Sequence, residues 1–239
     1  MSIWSRIGDL AARIGVGAGT GAMDLFEALR NFLGLDPELR RRVAFSVAMI
    51  ALSAKMAKAD GIVTQDEVRA FQEIFSVPPK ETRHVARVYE IAQQDTAGFE
   101  AYAERMARLC GSGLPNCSIL EDILDGLFHI AKADGLLHER ESLYLRRVAQ
   151  IFAIDEPNYH RILARHVGLG AADPYVVLGV ERGQSFEDIR RHYRTLVRDN
   201  HPDKVMARGL PAEFVAIATT RLAAINAAYE VVEKGFRQL

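Results

Sequence analysis

Cysteine is nearly absent. The 239 residues hold two, Cys110 and Cys117, in the run CGSGLPNC. Their separation fits neither a CxxC redox pair nor a usual zinc knuckle, and no signal peptide precedes them, so the reading is free thiols in a reducing compartment, with a disulfide closing the short loop as the alternative. An excess of charge of one sign is also missing. Lys and Arg number 30 against 31 Asp and Glu, a formal net charge of -1, so no global field selects nucleic acid or anionic lipid as the main partner. Any binding by charge must be local. Long apolar runs are lacking as well, since a membrane span needs about 18 or more apolar residues without charge. Ile14 to Met23 is uncharged but short and glycine-rich, and Val43 to Ala54 stops at Lys55. The second reads as a helix buried on most sides. No stretch alternates apolar and polar as a strand would. The glycine run GVGAGTG has no following Lys-Ser or Lys-Thr and follows no strand, which removes the usual phosphate cradle.

What is present is helical periodicity in a chain long enough for two modest domains. In residues 1–36, Ile3, Ile7, Leu10 and Ile14 share one helical face, a glycine-rich break follows, and Met23, Phe26, Leu29 and Phe32 form a second stripe. Two short helices docking on the main domain are expected. The competing reading is an amphipathic anchor with Trp4 at a membrane interface, opposed by Arg6, Arg13 and Arg30 being offset by Asp9, Asp24, Glu27 and Asp36.

Residues 37–166 read as an all-helical bundle of roughly seven or eight helices at typical lengths of about 11 residues. Within it Ala57-Lys58-Ala59-Asp60-Gly61-Ile62-Val63 recurs as Ala131-Lys132-Ala133-Asp134-Gly135-Leu136-Leu137, and an acid follows each at the same distance, Glu67 and Glu141. Each copy reads as a helix stop at Gly61 or Gly135 and then a helix start. Thr64 and Glu67 have capping-box spacing; His138 replaces the threonine in the second copy, a weaker cap, with Glu139 and Glu141 still favouring a helix N-terminus. Both copies mimic the back half of a calcium loop, but the front positions hold Met56 and Lys58, or Ile130 and Lys132, which excludes that site. The paired AKADG segments resemble the TerB-like domain first named from tellurite-resistance proteins. The duplication itself suggests two helical halves around a pseudo-symmetry axis, and the resemblance implies a metal role for Asp60, Glu67, Asp134 and Glu141. The plainer expectation is that these acids cap helices and pair with Lys58 and Lys132.

Residues 167–172 form a glycine-rich linker, and residues 173–239 begin afresh. Asp173 caps, Pro174 takes the first turn and Gly179 ends a short helix in DPYVVLG. Ser185, with Asp188 three residues on, caps the next helix, where Ile189, Tyr193, Leu196 and Val197 share one face. Arg190, Arg191, Arg194 and Arg198 cover the rest, with no acid between Ile189 and Arg198. Pro202 pushes His201 out of helical geometry, so that helix must end there and the flanking side chains are displayed. A last helix carries Phe214, Ile217, Leu222, Ile225, Ala228, Tyr229 and Val232, a continuous stripe expected to pack antiparallel on Ile189, Tyr193 and Leu196.

His201-Pro202-Asp203 after a basic helix, together with the DPYVVLGV start, resembles the J-domain, the module that stimulates ATP hydrolysis by DnaK-type chaperones. The resemblance implies that His201, Pro202, Asp203 and Lys204, with Arg190, Arg191, Arg194 and Arg198, bind the chaperone's ATPase. HPDKVMARGLPAEF and INAAYEVV are similar to the family of bacterial membrane-anchored J-proteins typified by DjlA, which joins a TerB-like domain to a C-terminal J-domain. Its transmembrane segment has no counterpart here, so a cytoplasmic or at most peripheral inner-membrane location is expected. The expectation is an all-α co-chaperone without an active site or cofactor of its own and without nucleic acid as a partner. The TerB-like half would choose the client or location, and a homodimer stays open. The alternative is a stress-response scaffold or metal-binding module built on the acids of the TerB-like half.

Overall fold

The computed structural model describes residues 3–15, 37–60, 77–94, 98–109, 115, 117–166, 172–207 and 214–238, and every regular element among them is an α-helix. In chain order these are α1 Ile3–Gly15, α2 Pro37–Asp60, α3 Thr82–Gln94, α4 Phe99–Leu109, α5 Ser118–Ala131, α6 Glu139–Ile151 and α7 Glu156–His166. After them come α8 Pro174–Leu178, α9 Phe186–Asp199, α10 Pro202–Ala207 and α11 Phe214–Arg237. The all-α expectation holds across the described residues.

The bundle is built around α2. From Phe45 to Ala57 every residue is buried, because α1, α3, α4, α5 and α6 all pack on it. A helix apolar on all sides has no other stable place in a water-soluble bundle. Lys55 does not end this run: it stays buried with its ammonium 5.4 Å from the Tyr102 ring centroid. The Tyr144 hydroxyl donates to the Leu52 carbonyl at 2.8 Å, tying α6 to the same helix.

α1 lies on α2 and α3 with Trp4 and Ile7 buried. Docking, rather than a membrane interface, therefore accounts for Trp4. The second stripe, Met23 to Phe32, lies outside the described residues.

Each AKADG copy stands at the end of a core helix. The first closes α2 at Asp60, and its continuation through Gly61, Thr64 and Glu67 lies outside the described residues. In the second, α5 ends at Ala131 and Gly135 takes φ +91°, a left-handed turn that a Cβ would strain. α6 then starts after His138, whose backbone N–H donates to Glu141 Oε2 at 2.9 Å. Half of a capping box therefore forms without a threonine.

One expectation fails at the cysteines. Cys117, the residue before α5, is disulfide-bonded. The other cysteine of the chain, Cys110, lies outside the described residues. Between the two cysteines the sequence reads Gly-Ser-Gly-Leu-Pro-Asn, residue types that let a chain reverse tightly enough for such a closure.

The C-terminal unit is a helical hairpin, α9 against α11, with α8 and α10 flanking it. Ser185 Oγ accepts the Asp188 N–H at 3.2 Å and donates to Asp188 Oδ2 at 2.7 Å, and Asp173 accepts from Tyr175 N at 3.0 Å. Both predicted starts are thus capped as their side chains dictate. Gly179 at φ +68° ends α8. Tyr193 stacks on Tyr229 at 3.9 Å between centroids and donates its hydroxyl to Asn226 Oδ1 at 3.0 Å.

The apolar stripe of α11 departs from expectation. It runs through Arg221, with Leu222 only half-buried, and it serves two cores. Ile225, Ala228, Tyr229 and Val232 join Val177, Leu178, Ile189 and Leu196 in the hairpin core. Phe214, Ile217 and Ala218 belong instead to the core of the N-terminal bundle. The reason is length. The 14 residues of α9 span about 21 Å and the 24 of α11 about 36 Å, so the first turns of α11 overhang their partner. The overhang is filled by Phe45, edge-on to Phe214 at 4.4 Å, and by Gly126, where an added Cβ would stand 3.1 Å from Ile217 Cδ1. Among the described residues α11 is also the one helix long and apolar enough to cross a membrane, with 39% of that apolar window buried.

Truncating Phe214 to Ala should cost about 3–5 kcal/mol, as for a fully buried aromatic. The exposed Val231→Ser should stay within about 0.5 kcal/mol. Denaturant unfolding of the full chain checks both, and a cost below about 1 kcal/mol for Phe214→Ala would contradict the two-core packing.

Candidate functional site

Two residues separate α9 from α10. The last turn of α9 closes on Asn200, whose backbone N–H and side-chain amide both donate to the Leu196 carbonyl, at 2.9 and 2.8 Å. His201 is non-helical, and Pro202, which has no N–H to lose, opens α10. Asp203 and Lys204 stand in the first turn of α10. His201 Nδ1 accepts the Asp203 backbone N–H at 3.3 Å, which puts the ring proton on Nε2, and the His201 carbonyl accepts from Lys204 N at 2.9 Å. Both side chains remain displayed, with 52% of the His201 and 77% of the Asp203 side-chain surface open to solvent.

The basic face of α9 is exposed throughout, but its charges are not equivalent. Arg191 is paired with Asp188. Arg198 Nε lies 3.1 Å and Lys204 Nζ 2.8 Å from the same Asp199 oxygen. The hydrogen bond from Arg198, and after it that from Lys204, holds the Asp199 carboxyl down at about 2. Asp199 therefore clamps Lys204 back across the turn. Among the described residues Arg190 and Arg194 enter no ion pair, and they stand four residues apart on the helix surface beside the turn.

Of the four acids considered for metal, two are described. Asp134 accepts the Leu136 N–H at 3.0 Å and lies 3.3 Å from His138 Nε2. The bond from Leu136 leads the causes that hold its carboxyl below the ordinary carboxylate range. Glu141 is buried on the His138 N–H. What is described of the set thus serves the turn, and no group of three or more His, Cys, Asp or Glu gathers there or elsewhere among the described residues. The side chain of Asp60 and all of Glu67 lie outside them. Lys132 bonds to the His166 carbonyl rather than to these acids.

The structure also reveals a cluster that pattern reading passed over. Arg221, on α11, is fully buried with its Nε 2.9 Å from Asp125 Oδ2 and its Nη1 2.5 Å from Asp122 Oδ1, both on α5. Arg165 and His166 at the end of α7 approach the other Asp125 oxygen at 3.1 and 3.0 Å. Burial alone would raise the Asp125 carboxyl, but Arg221, Arg165 and the bond from His166 outweigh it and hold the group well below the carboxylate range. Arg221 Nη1 also donates to Asn200 Oδ1 at 3.2 Å, at the doorstep of the turn. A signal was there to read: Arg221 is the one charged residue between Phe214 and Tyr229.

Comparison with known proteins sorts the chain into the same two units. Residues 46–164 match the family described as tellurite resistance protein TerB, and residues 173–235 match the DnaJ domain. Similar curated proteins include the co-chaperone protein DjlA of Photobacterium profundum, 27% identical over 82% of this chain and 80% of the relative. Those of Vibrio cholerae, 25% identical over 82% and 80%, and of Coxiella burnetii, 27% identical over 75% and 73%, share the name. No solved structure matches the chain.

A carbon-detected titration should find the Asp199 carboxyl with a midpoint near 2. Arg198→Met should move it up toward the ordinary value of about 3.9, and Lys204→Met should do so less. An unperturbed midpoint in the parent protein would remove the clamp.

Proposed function

We propose that this chain, which matches TerB and then the DnaJ domain, is a DjlA-like J-domain co-chaperone that stimulates the ATPase of a DnaK-type chaperone through the His201-Pro202-Asp203 turn. The observation that carries this reading is the joint exposure of that turn and, back along α9, of Arg194 and Arg190, left open by the docked TerB domain. The chain contributes contacts and the partner carries out the hydrolysis.

Asp203 supplies a displayed carboxylate for a charge-assisted contact to a cation on the chaperone. His201 and Pro202 set its direction, the first through the bond to the Asp203 N–H and the second by its fixed φ. Arg190 and Arg194 bring the hairpin to an acidic surface, a contact that governs encounter rate more than final affinity. The TerB domain is the element that would bind a client or a cellular address. ATP-dependent chemistry of this kind places the work on the cytoplasmic side of the membrane.

Replacing His201 with Gln should abolish single-turnover stimulation of a bacterial DnaK-type ATPase while the helical circular dichroism stays unchanged. Stimulation as strong as the parent's would refute the role given to the turn. Stimulation should also fall as salt rises above 0.1 M, where screening acts over about 10 Å, and Arg194→Glu should reproduce the high-salt behaviour at low salt. Loss of neither would argue against docking through this face.

A further inference from the structure

A buried guanidinium is satisfied only if each of its faces finds an acceptor, and Arg221 finds three: Asp125, Asp122 and the side-chain carbonyl of Asn200. Two of these belong to α5 of the TerB domain. The third is the residue immediately before His201, and its own amide nitrogen is bonded back to Leu196. Asn200 is therefore gripped at both ends, by the helix it terminates and by an arginine whose position is dictated from the other domain. The grip extends inward. Asp125 is held in turn by Arg165 and His166, the His166 ring stacks on Phe128 at 5.3 Å, and the His166 carbonyl receives Lys132 from the second AKADG segment. A continuous path of ion pairs and hydrogen bonds thus runs from that segment to the exposed turn.

We propose that Arg221 is a positioning residue for the His201-Pro202-Asp203 turn, transmitting the docking of the TerB domain to the turn through Asn200. This rests on the reading that the turn engages a chaperone. With the TerB domain docked, Arg221 is anchored and Asn200 can end α9 in only one way, so His201 and Asp203 are displayed in the geometry described above. With the docking loosened, Arg221 loses its two carboxylates and Asn200 loses the outer half of its grip. The turn then samples other arrangements, and a chaperone must select the competent fraction, which raises the concentration needed without changing the maximal effect. Whatever the TerB domain binds can in this way tune the neighbouring J-domain without touching it.

The test uses the full chain and two readouts. In Arg221→Gln and in Asp122→Asn, amide hydrogen exchange at Asn200, Asp203 and Lys204 should speed up about tenfold or more, with the middle of α9 unchanged. The concentration giving half-maximal ATPase stimulation should rise by a similar factor at an unchanged plateau. Asp122 lies in the other domain, so an effect at the turn is one that a role confined to local stability would not produce. Because Arg221→Gln takes its cation from buried Asp122 and leaves Asp125 to Arg165 and His166 alone, Asn200→Ala provides the variant that keeps the ion cluster intact. It should show the same two changes at an unaltered thermal midpoint. Unchanged exchange at the turn in Asp122→Asn overturns the proposal, as does an effect confined to Asn200→Ala. A parent chain that fails to stimulate any DnaK-type ATPase refutes the proposed function instead, and the exchange readout, which needs no chaperone, then still decides the coupling.

Discussion

Asp122 and Asp125 stand one turn apart on a helix whose other buried positions are apolar, and both are buried. Carboxylates in that position cannot stay ionised unless cations reach them, since the desolvation cost of an unpaired buried charge runs to several kcal/mol. The bundle itself brings Arg165 and His166 from α7 to Asp125, and the C-terminal hairpin brings Arg221 to both acids. Two carboxylates thereby meet two guanidiniums. The ion cluster is not the main source of stability, because a well-packed apolar replacement is often as good. Its effect is on geometry. Phe214 and Ile217 supply the apolar driving force for docking, and they tolerate small shifts; three charge-assisted contacts on one guanidinium tolerate far fewer.

That constraint explains how a short turn with no core of its own can be well placed. His201 and Asp203 are solvent-exposed and make a single weak bond to each other through the backbone. Their setting comes from what lies on either side. Asn200 terminates α9 against Arg221, and Asp199 draws Lys204 across the turn. The same Asp199 shares Arg198 and Asp188 holds Arg191, so the basic face resolves into paired charges and two, Arg190 and Arg194, that enter no ion pair among the described residues. Surface pairs of this sort contribute little to stability. They do decide which cations are presented to a partner.

Much of this was legible along the chain. The capping residues Asp173 and Ser185, the stop at Gly179, the helical breadth of Val43 to Ala54 and the helix end before His201 all follow from local chemistry, and each appears where the residues place it. Local rules depend on neighbours within a turn or two, and those neighbours are fixed by covalent connection. The misreadings have the opposite character. The stripe of α11 passes through Arg221 rather than Leu222, because apolar pattern favours an apolar residue over a charged one whose partner lies elsewhere in the fold. Lys132 reaches the end of α7 rather than the acids near it in the chain, and Cys117 is bonded rather than free.

The sequence by itself determined an all-helical chain, the places where its helices begin and end, a displayed His-Pro-Asp turn behind a basic helix, and the kinship of its two units. Tertiary structure alone decided that the two units share a core at the start of α11, that Arg221 is buried between Asp122 and Asp125, and that Asn200 joins the turn to that cluster. The physical reason is separation. A cap or a stop is an interaction within one turn of helix, whereas the partners of a buried charge are chosen by how whole helices pack, and that choice is made only when the chain has closed on itself.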